Sequence, residues 1–489
     1  CIAGAIAIFF YQSLFRGYIP VPSDALVGLY HPWRDYFSST YARGVPFKNF
    51  LTTDPVRQQI PWRKIAMDDW RSGKLPLWNA FAFSGTPLAA NIQSGAWYPL
   101  NILFLFLNFP LAWTILLALE PLLAAMFFYW YARSRSFHPA AALFGGLTWA
   151  FCGFQVAWFT WGTIGHVSLW LPIILLAIDH VVETGSRRWI WTGVLAIGLS
   201  MTLFAGHVQI ALFGMAGGAV YAIWRMADKR YRKHWKGSVF CLFIALILFL
   251  LITGIEWMPM LQFIRTSSRI GEAGLSLRPG WFLPWQHLVQ FFVPDFFGNP
   301  ATLNYWGEWN YGEFVGYIGI SGIILAVTGL FSRSFSDRRF WLFLGVVSLL
   351  FALPTSLATM PLVVRIPFLS SLQPTRLMVL IDFSLVVLAA AGMDAFIRRT
   401  LKIPRSGSIV AGIVLGVAWL VVLFRGKLGD AALAQNLLVS RQNLILPTAI
   451  FFLFELIMVG RIVAERASRV KHRGIFGAGL IALVIVLNT

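Results

Sequence analysis

Apolar runs long enough to cross a bilayer, separated by short basic stretches, repeat along almost the whole chain, and one long polar segment near the N-terminus breaks the rhythm. A membrane-crossing helix needs roughly 17–25 mainly apolar residues, and lipid offers its backbone no hydrogen-bond partner, so each run is expected as a transmembrane helix. Thirteen are expected, at 1–15, 110–131, 140–160, 167–182, 189–206, 208–224, 238–258, 314–332, 339–355, 376–396, 408–424, 446–461 and 474–488. Segments 99–109 and 358–371 are apolar but short and bounded by proline, and are expected as interfacial or re-entrant pieces. The fold class is therefore an all-α polytopic membrane protein, read as a single transmembrane domain over 1–489.

Basic residues give the spans a direction. Arg133/Arg135, Arg187/Arg188, the run Arg225 to Lys236, Arg333/Arg338/Arg339, Arg398/Arg399/Lys402/Arg405 and the run Arg461 to Arg473 fall in alternate connections. Basic connections mark the cytoplasmic side. The opposite, extracytoplasmic face then receives loop 16–109, the turns near His166 and His207, loop 259–313, segment 355–375 and the connection 425–445. The same clusters account for the net charge of +19, so no nucleic-acid surface is inferred from it. Charged residues make up 12% of the chain, about half the share of a soluble domain, which excludes an ordinary soluble enzyme. Cys1, Cys152 and Cys241 are scattered, with no disulfide framework or metal-type spacing. The chain opens on Cys1 without methionine and closes inside an apolar run. Both ends are expected to be truncated, with Cys1 an ordinary span residue.

The segment that breaks the rhythm, 51–101, concentrates acids, amides and tryptophans. From Arg57 to Arg71 the spacing predicts an amphipathic helix with Ile60, Trp62, Ile65, Ala66 and Trp70 toward the membrane surface, stopped by Gly73 and Pro76. The run Asp24 to Pro32-Trp33-Arg34 echoes Asp54 to Pro61-Trp62-Arg63, as chance or as two copies of one device. Asp54, before Pro55, suits a helix cap. It equally suits a general base or metal anchor beside Arg57 and Arg63, which would bind phosphate by paired hydrogen bonds. Asp35, Asp68, Asp69 and Glu272 read as solvated loop positions. His166 and His207 each follow a glycine at the outer mouth of a helical hairpin and are candidates for one vestibule. Loop 259–313 mixes Asp295, Asn299, Asn304, Glu308, Asn310 and Glu313 with Tyr305, Trp306, Trp309 and Tyr311, a combination suited to sugar hydroxyls and ring faces. Arg376 opens a span at its outer end and is a candidate for a lipid phosphate. No nucleotide-binding loop is present, so a sugar donor used outside would be carried in the membrane.

Thr53-Asp54-Pro55 with Gln58/Gln59 and Pro61-Trp62, then Gly73 to Asn79, Gly85-Thr86-Pro87, Ala90 to Ser94, Tyr98 to Asn101, Gly206 to Gln209, Pro294 to Pro300 and Tyr305-Trp306-Gly307 form a set. With it the chain resembles the YfhO-like bacterial membrane proteins, grouped with GT-C glycosyltransferases. The resemblance implies a polytopic enzyme of the bacterial plasma membrane. It would move a sugar from a polyprenyl-phosphate carrier to a cell-envelope polymer, lipid or protein on the extracytoplasmic face. It implies a catalytic acid in the first outer loop, Asp54, with Asp24 the competitor. GT-C pairs of adjacent acids are replaced here by Asp54-Pro55, which leaves use of a divalent cation (Mg or Mn) open. The substrate-binding candidates are Arg57, Gln58, Arg63, Asn79, Asn91, Gln93, His166, His207, Asp295, Asn299, Tyr305, Glu308, Glu313 and Arg376. Two other classes compete: a transporter or flippase of lipid-linked saccharides, and a noncatalytic scaffold of an envelope complex.

Overall fold

A computed structural model describes residues 1–41, 49, 52–183, 185–266, 280–364, 372–398, 400, 405–425 and 431–467. Its helices follow the apolar runs. In chain order they are α1 (Ile2–Phe9), α2 (Tyr11–Arg16), α3 (Asp24–Leu29), α4 (Trp33–Tyr36), α5 (Ile60–Arg71), α6 (Leu103–Phe106) and α7 (Phe109–Ser134). Next come α8 (Pro139–Ala150), α9 (Gly153–Trp158), α10 (Ile164–Ser168), α11 (Leu171–Val182), α12 (Arg188–Phe204), α13 (Val208–Ala227) and α14 (Trp235–Arg265). The remainder are α15 (Ile320–Leu330), α16 (Arg338–Ala352), α17 (Ser356–Val363), α18 (Met378–Ile397), α19 (Arg405–Arg425) and α20 (Ala431–Ala467). Eight helical stretches among the described residues are long and apolar enough to cross a bilayer, and α12 and α15 are shorter apolar helices.

Three expectations change. The expected first span is two short helices meeting at Phe10, and α2 ends on Gly17 in a left-handed conformation. The span expected at 314–332 is helical only from Ile320, because Gly319 holds a positive φ of 82° just before it. The connection expected at 425–445 is helical from Ala431, so the span at 446–461 is the second half of one long helix, α20. The span at 474–488, Glu272 and most of 358–371 beyond α17 lie outside the described residues.

The chain divides into two compact units. The first comprises Cys1–Phe127, Ala157–Arg278 and Pro367–Leu372. Its core is α11, apolar and buried on most sides, with α12, α13 and α14 packed around it. Gly198 and Gly218 let their helices approach: a Cβ on either would lie 3.3 Å from the Ile174 side chain, the small-residue contact that membrane helices favour.

The second unit comprises Phe128–Val156, Pro279–Ile366 and Gln373–Thr489. Here α18 is the axis, buried around its circumference and flanked by α8, α15 and α16. Its contact with α15 runs backbone to backbone: a Cβ on Gly392 would sit 2.0 Å from the Leu325 carbonyl oxygen, and one on Gly329 would sit 2.1 Å from that of Leu388. Only glycine fits either place.

Candidate functional site

Asp54 opens the helix that also carries Arg57, Gln58 and Arg63. Its own torsions are helical (φ −58°, ψ −41°), and its side chain makes no capping hydrogen bond. A cap needs a non-helical residue whose side chain turns back onto the first free N–H groups, and Asp54 is already inside the turn. The half-buried carboxylate is met instead by Gln58, whose Nε2 donates to Oδ1 at 3.4 Å. The next turn, Pro55–Gln59, is π-wound, and the Ile60 N–H reaches back five residues to the Pro55 carbonyl. Pro61 has no N–H to give the Arg57 carbonyl, and the wider turn accommodates that gap. Such π turns recur at functional sites. Arg57 is exposed, with its guanidinium 5.4 Å from the Tyr30 ring centroid.

The amphipathic helix expected over Arg57 to Arg71 is present and stops at Gly73 (φ 70°), where the Lys74 N–H closes onto the Asp69 carbonyl at 2.9 Å. Its side buried in the protein shares Ala66 with the face expected toward the membrane. Gln59, Arg63, Ala66 and Met67 turn inward, and Ile60, Trp62 and Ile65 are only partly covered. Arg63 is therefore no open phosphate ligand: it is 0% exposed. Its Nη2 donates to the Gly162 carbonyl at 3.0 Å, and its guanidinium lies 5.3 Å from the Trp113 ring. Nε and Nη1 have no hydrogen-bond partner among the described residues. Burial lowers the Arg63 pKa to about 10, against a smaller opposite pull from Tyr98. Glycine suits the turn at Gly162, whose φ of 60° L side chains rarely adopt and where a Cβ would sit 3.0 Å from Arg63 Nη1. Because Trp113 and Leu117 of α7 line the same spot, the loop carries its arginine about 6–12 Å along α7 from that helix's first residue.

Beside Arg63 runs a directed chain of hydrogen bonds. Trp170 Nε1 donates to the Tyr98 hydroxyl at 3.2 Å. That hydroxyl in turn donates to His166 Nδ1 at 3.3 Å, so the proton of the neutral imidazole is assigned to Nε2, which donates to the Leu116 carbonyl at 3.1 Å. Glu120 Oε2 lies 3.7 Å from that same Nε2, and neither Glu120 oxygen has a hydrogen-bond partner among the described residues. Room for the carboxyl is made by Gly165, where a Cβ would fall 1.8 Å from Oε1. Burial pushes the Tyr98 phenol above its ordinary range, with the Trp170 hydrogen bond opposing. His166 is thus a fully buried member of this cluster, in the short helix α10 that precedes α11. Tyr98 was named in the sequence only within the motif Tyr98 to Asn101, and Glu120 was not named. Glu120 had a signal: it is the one acid in the run Phe109 to Ser134, and intramembrane acids are commonly functional.

Other predicted residues of this unit serve the chain itself. Gln93 Oε1 accepts from Gln59 Nε2 at 2.9 Å, which ties α5 to the turn Ile92–Ser94 capped by Asn91. Asn79 accepts the Phe81 N–H at 2.9 Å. His207 caps α13 through Nδ1, which accepts the Ile210 N–H at 3.3 Å. The Asp24–Arg34 echo of Asp54–Arg63 does not extend to structure. Asp24 starts the short helix α3, and Arg34 in α4 is exposed where Arg63 is enclosed.

In the second unit the polar loop closes on itself. Asp295 Oδ1 accepts from Asn299 Nδ2 at 3.0 Å and from the Tyr311 hydroxyl at 2.6 Å. Asn299 caps the turn Pro300–Thr302. The Tyr305 hydroxyl donates to the Glu308 carbonyl at 2.7 Å, and the Glu308 carboxyl is held by Gln286. Arg376, expected to face a lipid phosphate, instead meets Glu313: Nη2 to Oε1 is 2.6 Å, and Thr375 donates to Oε2 at 3.1 Å. Burial keeps the Glu313 carboxyl above its usual range, with Arg376 pulling the other way. His287 is enclosed as a neutral ring, with Nδ1 donating to Gln290 Oε1 at 2.6 Å and Nε2 accepting the Glu308 N–H at 3.2 Å. Burial lowers its pKa to about 4.

Among the described residues no three His, Cys, Asp or Glu side chains come together as metal ligands. A lone carboxylate with one amide, as at Asp54, is a poor donor set for Mg or Mn, which bind through several oxygens.

Residues 96–488 match the family described as Bacterial membrane protein YfhO. No curated protein matches the chain. Among solved structures the chain is similar to ArnT from Cupriavidus metallidurans, whose crystal structure is described as bound to undecaprenyl phosphate. The similarity has 15% sequence identity and a TM-score of 0.43, and covers 93% of this chain and 75% of ArnT.

Proposed function

The chain belongs to the YfhO family of bacterial membrane proteins, and from that premise we propose that it is a GT-C-type glycosyltransferase. Its donor would be a sugar on a polyprenyl phosphate, and its acceptor a hydroxyl of the cell envelope. The observation that carries this reading is the Asp54 carboxylate, free of capping duty at the head of a π-wound turn and steadied by Gln58. In the proposed step the acceptor hydroxyl gives its proton to Asp54 as its oxygen attacks the anomeric carbon. The bond from that carbon to the phosphate oxygen breaks, its electron pair leaves with the phosphate, and the anomeric configuration inverts. Arg57, exposed on the same turn, is the cation available to the departing phosphate. Arg63 acts from within, holding α5 against Gly162. Alternation of the basic clusters supports placing the reaction on the extracytoplasmic face of the plasma membrane.

The test uses membranes containing wild-type, Asp54→Asn or Asp24→Asn protein, incubated with radiolabelled polyprenyl-phosphate hexose. Asp54→Asn is expected to lower label transfer by about 10²–10⁴-fold, with Asp24→Asn close to wild type. Equal transfer by Asp54→Asn and wild type overturns the assignment of the base. A second reading, a carrier of lipid-linked saccharides, is favoured by one observation: the enclosed Arg63, Tyr98, His166 and Glu120 put polar groups where transporters hold substrate. Movement of labelled lipid across proteoliposomes without covalent transfer would select it.

A further inference from the structure

The hairpin between α5 and α6 displays apolar side chains on a tip built to hold them. Its strands pair Trp78 with Pro87 and Asn79 with Thr86. The tip carries Phe81 at 85% and Phe83 at 95% exposure, with Leu75, Leu77 and Trp78 exposed along the strand that leads to it. This tip is a fixed turn: Asn79 Oδ1 accepts the Phe81 N–H at 2.9 Å, and the Gly85 N–H bonds the Ala82 carbonyl at 2.8 Å. Gly85 (φ 116°) lies so close under the Trp78 ring that a Cβ would be 2.7 Å from it. Phe83 and Ser84 hold positive φ of 52° and 62°, a conformation that bulky residues rarely adopt and that the surroundings must enforce. At its base the Leu88 N–H bonds the Leu77 carbonyl at 2.9 Å, and Leu88, Ala89 and Ala90 are buried.

The hairpin also starts beside the head of a span. Arg71, at the end of α5, donates through Nη2 to the Leu107 carbonyl at 2.6 Å. Leu107 precedes the first residue of the span α7 by two positions, so it lies within about 8 Å of the point where that helix begins. Exposed apolar side chains continue across that point, with Ile102 and Phe106 before it and Leu111 in the helix itself. The first strand begins at Trp78, seven residues after this anchor and past Lys74.

We propose that the hairpin tip, through Phe81 and Phe83, inserts into the boundary between lipid headgroups and acyl chains of the bilayer the protein spans. Aromatic rings settle at that boundary, and an exposed apolar patch on a rigid support marks an interaction surface. The occupant is lipid because the base of the hairpin is bonded at Leu107, beside the start of the span α7, where further apolar side chains are exposed. Lys74 at the base suits anionic headgroups.

The test places a nitroxide on Phe81→Cys or Phe83→Cys in the full chain carrying Cys1→Ser, reconstituted in phosphatidylcholine/phosphatidylglycerol nanodiscs. Both side chains are exposed, so neither change disturbs packing. Collision with dissolved oxygen and with a water-soluble nickel chelate is measured for each label. At both positions the balance is expected to shift to oxygen, with nickel collisions suppressed. A nickel-dominated signal at either position overturns the proposal and would mark the tip as a water-facing surface. The result stands apart from the label-transfer assay, because it needs no sugar donor.

Discussion

Arg376 and Arg63 are both drawn out of water, but the two units treat them in opposite ways. Arg376 meets Glu313 at 2.6 Å, and Thr375 takes the second carboxylate oxygen. Around it Asp295, Asn299, Tyr311, Glu308 and His287 likewise satisfy one another. Arg63 has a backbone carbonyl and an indole face, and two of its nitrogens stay unpartnered among the described residues, as do both oxygens of Glu120. Buried polar groups are nearly always paired, and those that are not call for an explanation in function. The open cluster of the first unit is thus the stronger candidate for chemistry, beside a largely closed network in the second. Four measurements can break or sharpen that contrast.

The largest effect is expected at the closed pair. Glu313→Gln leaves Arg376 without its countercharge and should lower unfolding stability in detergent by about 3–5 kcal/mol, while Arg376→Met with Glu313→Leu recovers most of the loss. A loss below about 1 kcal/mol would show that the pair does not close the network. Next comes pH. In the unfolded chain His287 takes up a proton near its ordinary value of 6.5, whereas the folded ring does so only near 4. The neutral ring's contribution is thus complete above about pH 6.5 and is lost as pH falls toward 4. The total is on the order of 3 kcal/mol, and His287→Asn should flatten that slope. Third, Gly165→Ala drives a methyl group into the Glu120 carboxyl and should cost about 1–3 kcal/mol. Combining it with Glu120→Ala should return part of the loss, measured as a double-mutant cycle. The smallest effect is expected for Arg63→Met, within about 1 kcal/mol in either direction, because no buried carboxylate is left uncompensated. A loss as large as that of Glu313→Gln would erase the difference between the two arginines.

Helices α7, α8, α11 to α14, α16, α18 and α19 were legible because apolar runs between basic connections admit few other outcomes in lipid. So was the helix ending at Gly73. Which side of α5 turns inward was not, since charge is read as facing water and only the surrounding Gly162 and Trp113 show that Arg63 is enclosed. The first half of α20 read as a connection because it carries Gln435, Asn436, Ser440, Arg441 and Asn443. Two of these residues serve the loop instead: Ser440 donates to the Phe296 carbonyl and Asn443 to that of Asp295, each at 2.6 Å. Asp54 could be singled out from the chain, but its release from capping rests on its own helical torsions, where an Asp before Pro reads as a cap. Glu120 was visible throughout as an acid inside a span.

One dimension of the first unit sets how it must sit in its surroundings. Within the 31-residue rod of α14 the apolar run 239–261 extends about 35 Å at 1.5 Å per residue, against a hydrocarbon layer of about 30 Å. Trp235 begins that rod and Arg265 ends it, and much of its flank is exposed to lipid. Such a mismatch is relieved by tilting or by local thickening of the membrane. Lipids with shorter tails should lean α14 further and, through its packing on α12, carry bilayer thickness into the fold.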